Sequence, residues 1–122
     1  MKISVVIANY NSANFIEQCI NSLNSQTYKD IEIIFFDDNS SDNSIDKIEK
    51  FSNVKVIKNK NQTMYGSLNQ LNAFKESINQ STGELIFFLD SDDYFHERKV
   101  ETIVTYFKNN NENSITCPPN FF

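Results

Sequence analysis

Four short apolar runs, each separated from the next by a polar cluster and an amphipathic stretch, constrain this chain more than any other feature. They are Ile3–Ala8 (ISVVIA), Ile31–Phe36 (IEIIFF), Val54–Ile57 (VKVI) and Leu85–Leu89 (LIFFL), all rich in β-branched or aromatic residues. All four read as strands, and the nearly continuous Ile3–Ala8 as one buried on both faces. Helical spacing follows each of them. Phe15, Ile16, Cys19, Ile20 and Leu23 mark a first helix, with Ser12 placed as its N-cap. Ile45, Ile48 and Phe51 mark a second within Asp42–Phe51, and Leu68, Leu71, Phe74 and Ile78 a third. Val100, Ile103, Val104 and Phe107 mark the last. This alternation predicts an α/β fold, a mostly parallel sheet with helices on both faces. Right-handed crossovers put every strand's carboxyl end on one edge, where ligands of open parallel sheets bind.

The remaining segments punctuate that pattern. Gly83 breaks the stretch ahead of the fourth run, and Lys58–Tyr65 (KNKNQTMY), polar and without period, predicts a mobile loop. Asn109–Asn113 is polar and of low complexity. Ser114–Cys117 then reads as the start of a further strand, followed by Pro118–Pro119 and Phe121–Phe122. Two terminal phenylalanines either pack back onto the core or belong to a larger domain. The expectation is a single domain over residues 1–122, cut from a longer one.

Composition narrows the chemistry. With 122 residues, 39% of them hydrophobic, there is material for one core and not for two. The only glycines are Gly66 and Gly83, so neither a dinucleotide fingerprint nor a GxxxxGK phosphate loop is present. A net charge of −5 argues against nonspecific nucleic-acid binding, which draws on cationic side chains. Cys19, Cys117 and His96 are too few for a closed zinc site of the Cys/His type. Cysteines this far apart suggest no disulfide framework, and Cys19 on an apolar helix face reads as a buried free thiol. No apolar run reaches the length of a membrane span, and no signal peptide opens the chain. The expectation is a cytoplasmic chain without a transmembrane segment, with attachment to the cytoplasmic face of a membrane left open, as is the oligomeric state.

The polar residues just after the strands carry the chemistry. The first run leads into Asn9–Tyr10–Asn11, the second into Asp37–Asp38–Asn39–Ser40–Ser41–Asp42, and the fourth into Asp90–Ser91–Asp92–Asp93. Gathered on one edge, these groups form a pocket of several negative charges, which needs a counter-ion or protonated carboxyl groups. Carboxylate oxygens suit Mg²⁺ or Mn²⁺. Along an extended strand Asp90 and Asp92 point the same way and could share the ion, whereas a turn after the strand would bring in Asp93. Such an ion keeps open positions that a diphosphate fills, and as a Lewis acid it neutralises a departing diphosphate. It would replace the missing glycine loop.

Each group also has a plainly structural reading. Asp and Asn favour turns and N-caps, and Asp42 precedes a helix whose dipole favours an acid there. Tyr10 either stacks on a nucleobase or packs on the neighbouring helix. Asp38 either ends a turn or accepts a hydrogen bond from a pyrimidine N–H. His96 follows the acidic cluster and reads as a helix-start residue.

At this point the residues resemble a family. SVVIANYNSANFIEQCINSLNSQTYKDIEIIFFDDNSSDNS is similar to the start of family 2 glycosyltransferases with the GT-A fold, and TGELIFFLDSDD to the same family's metal-binding segment. The resemblance covers nearly the whole chain. It implies the Rossmann-like, nucleotide-sugar-binding half of a transferase, usually inverting, that uses Mn²⁺ or Mg²⁺, takes a nucleotide-sugar donor and delivers to a saccharide or other hydroxyl acceptor. By position, Ala8 and Tyr10 match residues that line the nucleoside, and Asp38 the carboxylate that reads the base, often uracil. Asn9, Asn11, Asp37 and Ser91 join the nucleotide-binding set as their neighbours. Asp90 and Asp92 match the DxD motif, with Asp92 the direct metal ligand and Asp93 beside it. Ala8 stands where the family often has proline. The helix SLNQLNAFKES lacks the family's arginine, a place that falls to Asn69 or Asn72. The general base is expected beyond residue 122.

Two other classes compete. A phosphoacceptor receiver also gathers acids around Mg²⁺, but puts an acidic pair after its first strand, where this chain has Asn9–Tyr10–Asn11. A non-catalytic nucleotide-sugar-binding fragment would share the pocket without turnover.

Overall fold

Every apolar run forms a strand, and every strand is one polar residue longer than its run. β1 is Ile3–Asn9, β2 Ile31–Asp37, β3 Val54–Lys58 and β4 Leu85–Asp90 in the computed structural model, which describes residues 1–59 and 63–114. The added residues, Asn9, Asp37, Lys58 and Asp90, all lie at carboxyl ends and stay in register. Asn9 pairs with Asp37, Asp37 with Lys58, and Asp90 with Ala8. All pairings are parallel and the sheet order is β3-β2-β1-β4. The strand expected from Ser114 to Cys117 and the terminal phenylalanines fall outside the described residues, Ser114 excepted.

Helices α1 (Ala13–Asn24), α2 (Ser44–Ile48), α3 (Gly66–Asn79) and α4 (Lys99–Asn109) follow the strands in turn. Alternate residues of a strand face opposite sides. Ile3, Val5 and Ile7 of β1, Ile33 and Phe35 of β2, and Phe87 and Leu89 of β4 join one core with Ile16, Cys19, Ile20 and Leu23 of α1. Ile48 of α2 and Val100, Ile103 and Val104 of α4 complete it. The opposite face is met by α3, which lies against β1 and β2.

Two expectations change here. The second helix is shorter than Asp42–Phe51, because Asp42 is spent on capping and Phe51 packs from beyond the helix end. The inner face of α3 is also not the one its large apolar residues mark. Leu68, Leu71 and Ile78 are exposed, while Asn69, Ala73 and Ser77 are buried. These three small or polar residues, spaced by four, let the helix sit close to the sheet. Phe74 meets Phe88 with ring centroids 4.8 Å apart and planes tilted by 59°.

The chain steps from β1 to β2 to β3 and then crosses back, through α3, to β4 on the far side of β1. Strand order therefore reverses beside β1, and the crevice for a ligand lies at that strand's carboxyl end.

The amino edge is closed by a hydrogen-bond cluster. Glu32, opposite Ser4 in register, accepts bonds from the Ser4 hydroxyl, from Thr82 N at 2.5 Å and from Gly83 N at 3.2 Å. Thr82 Oγ1 and Lys2 Nζ reach its other oxygen at 3.1 and 3.5 Å. Burial alone would raise the Glu32 pKa, but the bonds from Ser4 and Thr82 and the charge of Lys2 outweigh it and bring it down from 4.5 to about 2. Gly83 is required by proximity: a Cβ there would lie 2.5 Å from Ser4 N. No helix among the described residues is long and apolar enough to cross a membrane.

Candidate active site at the carboxyl edge

Two acidic loops are tethered to the end of β1 from its two sides. Asp38 N donates to Asn9 O at 2.9 Å, and Ser91 N donates to Ala8 O at 3.2 Å. The loops after β2 and β4 thus share one rim, separated by one strand width on each side, or about 10 Å in all. Between the end of β1, Asp38 and α3 opens a cleft of about 600 Å³. Ala8, Asn9 and Tyr10 form its base, Asp38 and Thr63 one side, and Gly66, Asn69 and Gln70 of α3 the other. Tyr10 is 57% exposed, so its ring faces the cleft instead of packing on a helix.

Asn9, Asn11 and Asp37 are used by the protein itself. Asn9 and Asp37 are buried, and Asn9 Nδ2 donates to Asp37 Oδ1 at 2.8 Å. Ser40 joins both residues, and Asn11 Oδ1 accepts from Ser41 N at 2.8 Å and from Asp42 N at 3.2 Å. Asp42 in turn accepts from Ala13 N at 3.0 Å, the first residue of α1, and from Ser44 N at 3.0 Å, the first of α2. It caps both helices, while Ser12, the predicted cap, instead donates to Tyr10 O. Burial slightly opposes its charge, yet the bonds from Ser44 and Ala13 hold its carboxyl below the ordinary aspartate value.

Asn69 and Asn72, the two candidates for the arginine's place, part company. Asn69 is buried, and its amide is engaged by Thr63: Oδ1 accepts from Thr63 N at 2.9 Å, and Nδ2 donates to Thr63 O at 2.8 Å. That bracing shapes the entry to α3. Asn72 lies along a separate groove beside β3, with Asn59 and Lys75. The α3 residue that reaches the acids is Gln70, whose Nε2 donates to Asp90 Oδ1 at 3.2 Å. Asn59, likewise unmarked by sequence, donates to Asp38 Oδ1 at 2.5 Å.

Asp90 ends β4, and the chain turns at once, with Asp93 N donating to Asp90 O at 3.0 Å. The strand alternation on which Asp90 and Asp92 would share a side stops there. Ser91 is buried, whereas Asp90, Asp92 and Asp93 are exposed. None of the ion pairs among the described residues involves these acids. No three Asp, Glu, His or Cys side chains gather closely enough to hold a metal among the described residues. The side chains that this turn offers are carboxylates, hard oxygen donors of the kind that Mg²⁺ and Mn²⁺ prefer. Beneath the turn, Cys19 Sγ lies 4.0 Å from Asp90 O. Burial first, then the charges of Asp93, Asp92 and Asp90, push its thiol up to about 12, so it stays protonated and inert. His96 precedes α4, where its carbonyl accepts from Lys99 N and from Gln26 Nε2.

A model of glycosyl transferase family 2 matches residues 4–121. The chain belongs to glycosyl transferase family 2. It is 36% identical over 104 residues to the UDP-Glc:α-D-GlcNAc-diphosphoundecaprenol β-1,3-glucosyltransferase WfaP of Escherichia coli, covering 85% of this chain and 40% of that one. It is 35% identical over 118 residues to the poly(ribitol-phosphate) β-N-acetylglucosaminyltransferase TarP of Staphylococcus aureus, covering 93% of this chain and 35% of that one. The solved structure of S. aureus TarS 1–349 in complex with UDP-GlcNAc superposes with a TM-score of 0.76 at 28% identity, covering 89% of this chain and 32% of that one. The fold is thus the GT-A arrangement expected, and the receiver alternative falls. This family member spans less than half the length of each of these relatives.

Proposed function

We propose that the chain is the donor-binding portion of a metal-dependent, inverting glycosyltransferase that moves a hexose-type sugar from a UDP-sugar to a hydroxyl of a saccharide or related acceptor. One observation carries the reading: Tyr10 and Asp38 border a cleft whose opposite side is α3, and from α3 Gln70 reaches the acidic turn. The Tyr10 ring offers a face for the uracil. Asp38, its carboxylate steadied by Asn59, accepts a hydrogen bond from the ring N–H. The diphosphate then extends along the end of β1 toward Asp90, Asp92 and Asp93. A divalent cation held there by Asp92, with Asp90 or Asp93, would supply charge neutralisation for the departing diphosphate. The acceptor hydroxyl attacks the anomeric carbon opposite the diphosphate, inverting its configuration. A carboxylate base outside the residues described takes the proton. The kinship with transferases whose names specify UDP-Glc, and with a TarS structure holding UDP-GlcNAc, supports uridine as the nucleoside. We place the reaction in the cytoplasm, at or near the inner face of the membrane.

Calorimetry with UDP decides the matter. Binding is expected only with Mn²⁺ or Mg²⁺ present, and Asp92→Ala is expected to weaken it by about tenfold or more. Metal-independent binding that survives the substitution would overturn the assignment.

A further inference from the structure

We propose that Ser40 is a positioning residue, a hydroxyl lock that sets Tyr10 and Asp38 in a fixed relation and thereby sets nucleobase selectivity. The inference rests on the reading above, in which those two side chains recognise the base.

A serine hydroxyl has one proton and two lone pairs. Ser40 uses all three. Its Oγ donates to Asp37 Oδ1 at 2.6 Å and accepts from Asn9 Nδ2 at 3.1 Å and from Asn11 N at 3.0 Å. The hydroxyl therefore has nothing left to offer a ligand, and its bonds join the loop after β1 to the loop after β2. The partners flank the recognition pair: Asn9 and Asn11 stand on either side of Tyr10, and Asp37 precedes Asp38. Ser40 N closes the ring by donating to Asp37 Oδ2 at 3.0 Å.

The backbone supports the same view. Among the described residues, Asn11 and Asn39 are the non-glycine residues with positive φ, at 49° and 55°, one in each loop. Asn tolerates this conformation better than most residues, and here it makes both turns sharp enough for the loops to meet over Ser40. Tyr10 and Asp38 follow directly on a register pair, Asn9 with Asp37, so their separation is set by the strands below and the lock above. Stacking on a ring face and bonding to a ring edge must be satisfied by one rigid base together. A pair that moved independently would still attract bases but would discriminate poorly among them.

The test compares UDP, GDP and inorganic pyrophosphate, each with Mn²⁺, by calorimetry on the wild-type chain, Ser40→Ala and Ser40→Thr. Ser40→Ala is expected to weaken UDP about tenfold and to shrink the preference for UDP over GDP, while pyrophosphate binding stays within about twofold. Ser40→Thr, which keeps the hydroxyl, is expected to restore the preference. A merely structural serine would leave the UDP-to-GDP ratio unchanged, and that result would overturn the lock. Should Ser40→Ala not fold, Ser40→Cys reads the same variable, because a thiol is only a weak donor and a weak acceptor in place of the hydroxyl. It is expected to lower the ratio too, and an unchanged ratio again overturns the proposal. Wild-type protein without any preference for UDP would instead overturn the base-reading role of Tyr10 and Asp38, a failure distinct from that of the lock.

Discussion

The two edges of the sheet both carry carboxylates, but the acids of the turn after β4 meet far fewer partners of their own chain than Glu32 does. At the amino edge Glu32 meets the Ser4 and Thr82 hydroxyls, two backbone N–H groups and the Lys2 ammonium. At the carboxyl edge Asp90 receives Gln70, and Asp93 receives the N–H of its own neighbour, Tyr94, at 2.9 Å. A carboxylate saturated by its own chain is a structural clamp. One left exposed in a turn, beside others of its kind, is destabilising until something cationic arrives. The contrast sets the clamp at the amino edge apart from the open turn at the carboxyl edge.

Substitutions at each edge test that contrast. The largest effect is expected from Glu32→Ala, which strands several donors together and should cost about 3 kcal/mol in denaturant unfolding while leaving nucleotide binding intact. Gly83→Ala follows, at about 2 kcal/mol, because the new methyl group would press on the Ser4 backbone. Acid titration reads the same clamp. The folded Glu32 pKa is depressed, so its stabilisation is fully present above pH 4.5 and is lost as the pH falls toward about 2. Chemical unfolding across that window should show a slope that Glu32→Ala reduces. The smallest effect belongs to the other edge. Asp92→Asn is expected to change stability by no more than about 0.5 kcal/mol, in the stabilising direction if either, since it removes a like charge. A cost of the size seen at Glu32 would erase the distinction between the edges.

Much of this was legible in the residues. Strand positions followed from β-branched runs, and the sheet's direction from their alternation with helices. The last residue of each strand was not, because a search for apolar residues stops at the first polar one, although Asn9, Asp37, Lys58 and Asp90 remain paired. The inner face of α3 was misread for a related reason. Periodicity assumes that large apolar side chains face the core, but a closely approaching helix turns Asn69, Ala73 and Ser77 inward. At the carboxyl edge, Tyr10 and Asp38 were marked out by their place after a strand. Ser40, Asn59 and Gln70 were not, because their partners lie on other loops and are chosen by strand register, which no local pattern encodes.

The sulfur beneath the acidic turn has a consequence of its own. A thiolate under Asp90 would add one more negative charge to the electric field that a cation must answer. Kept as neutral sulfhydryl, Cys19 makes the floor electrically silent, so the pull on an incoming ion is written by the aspartates alone.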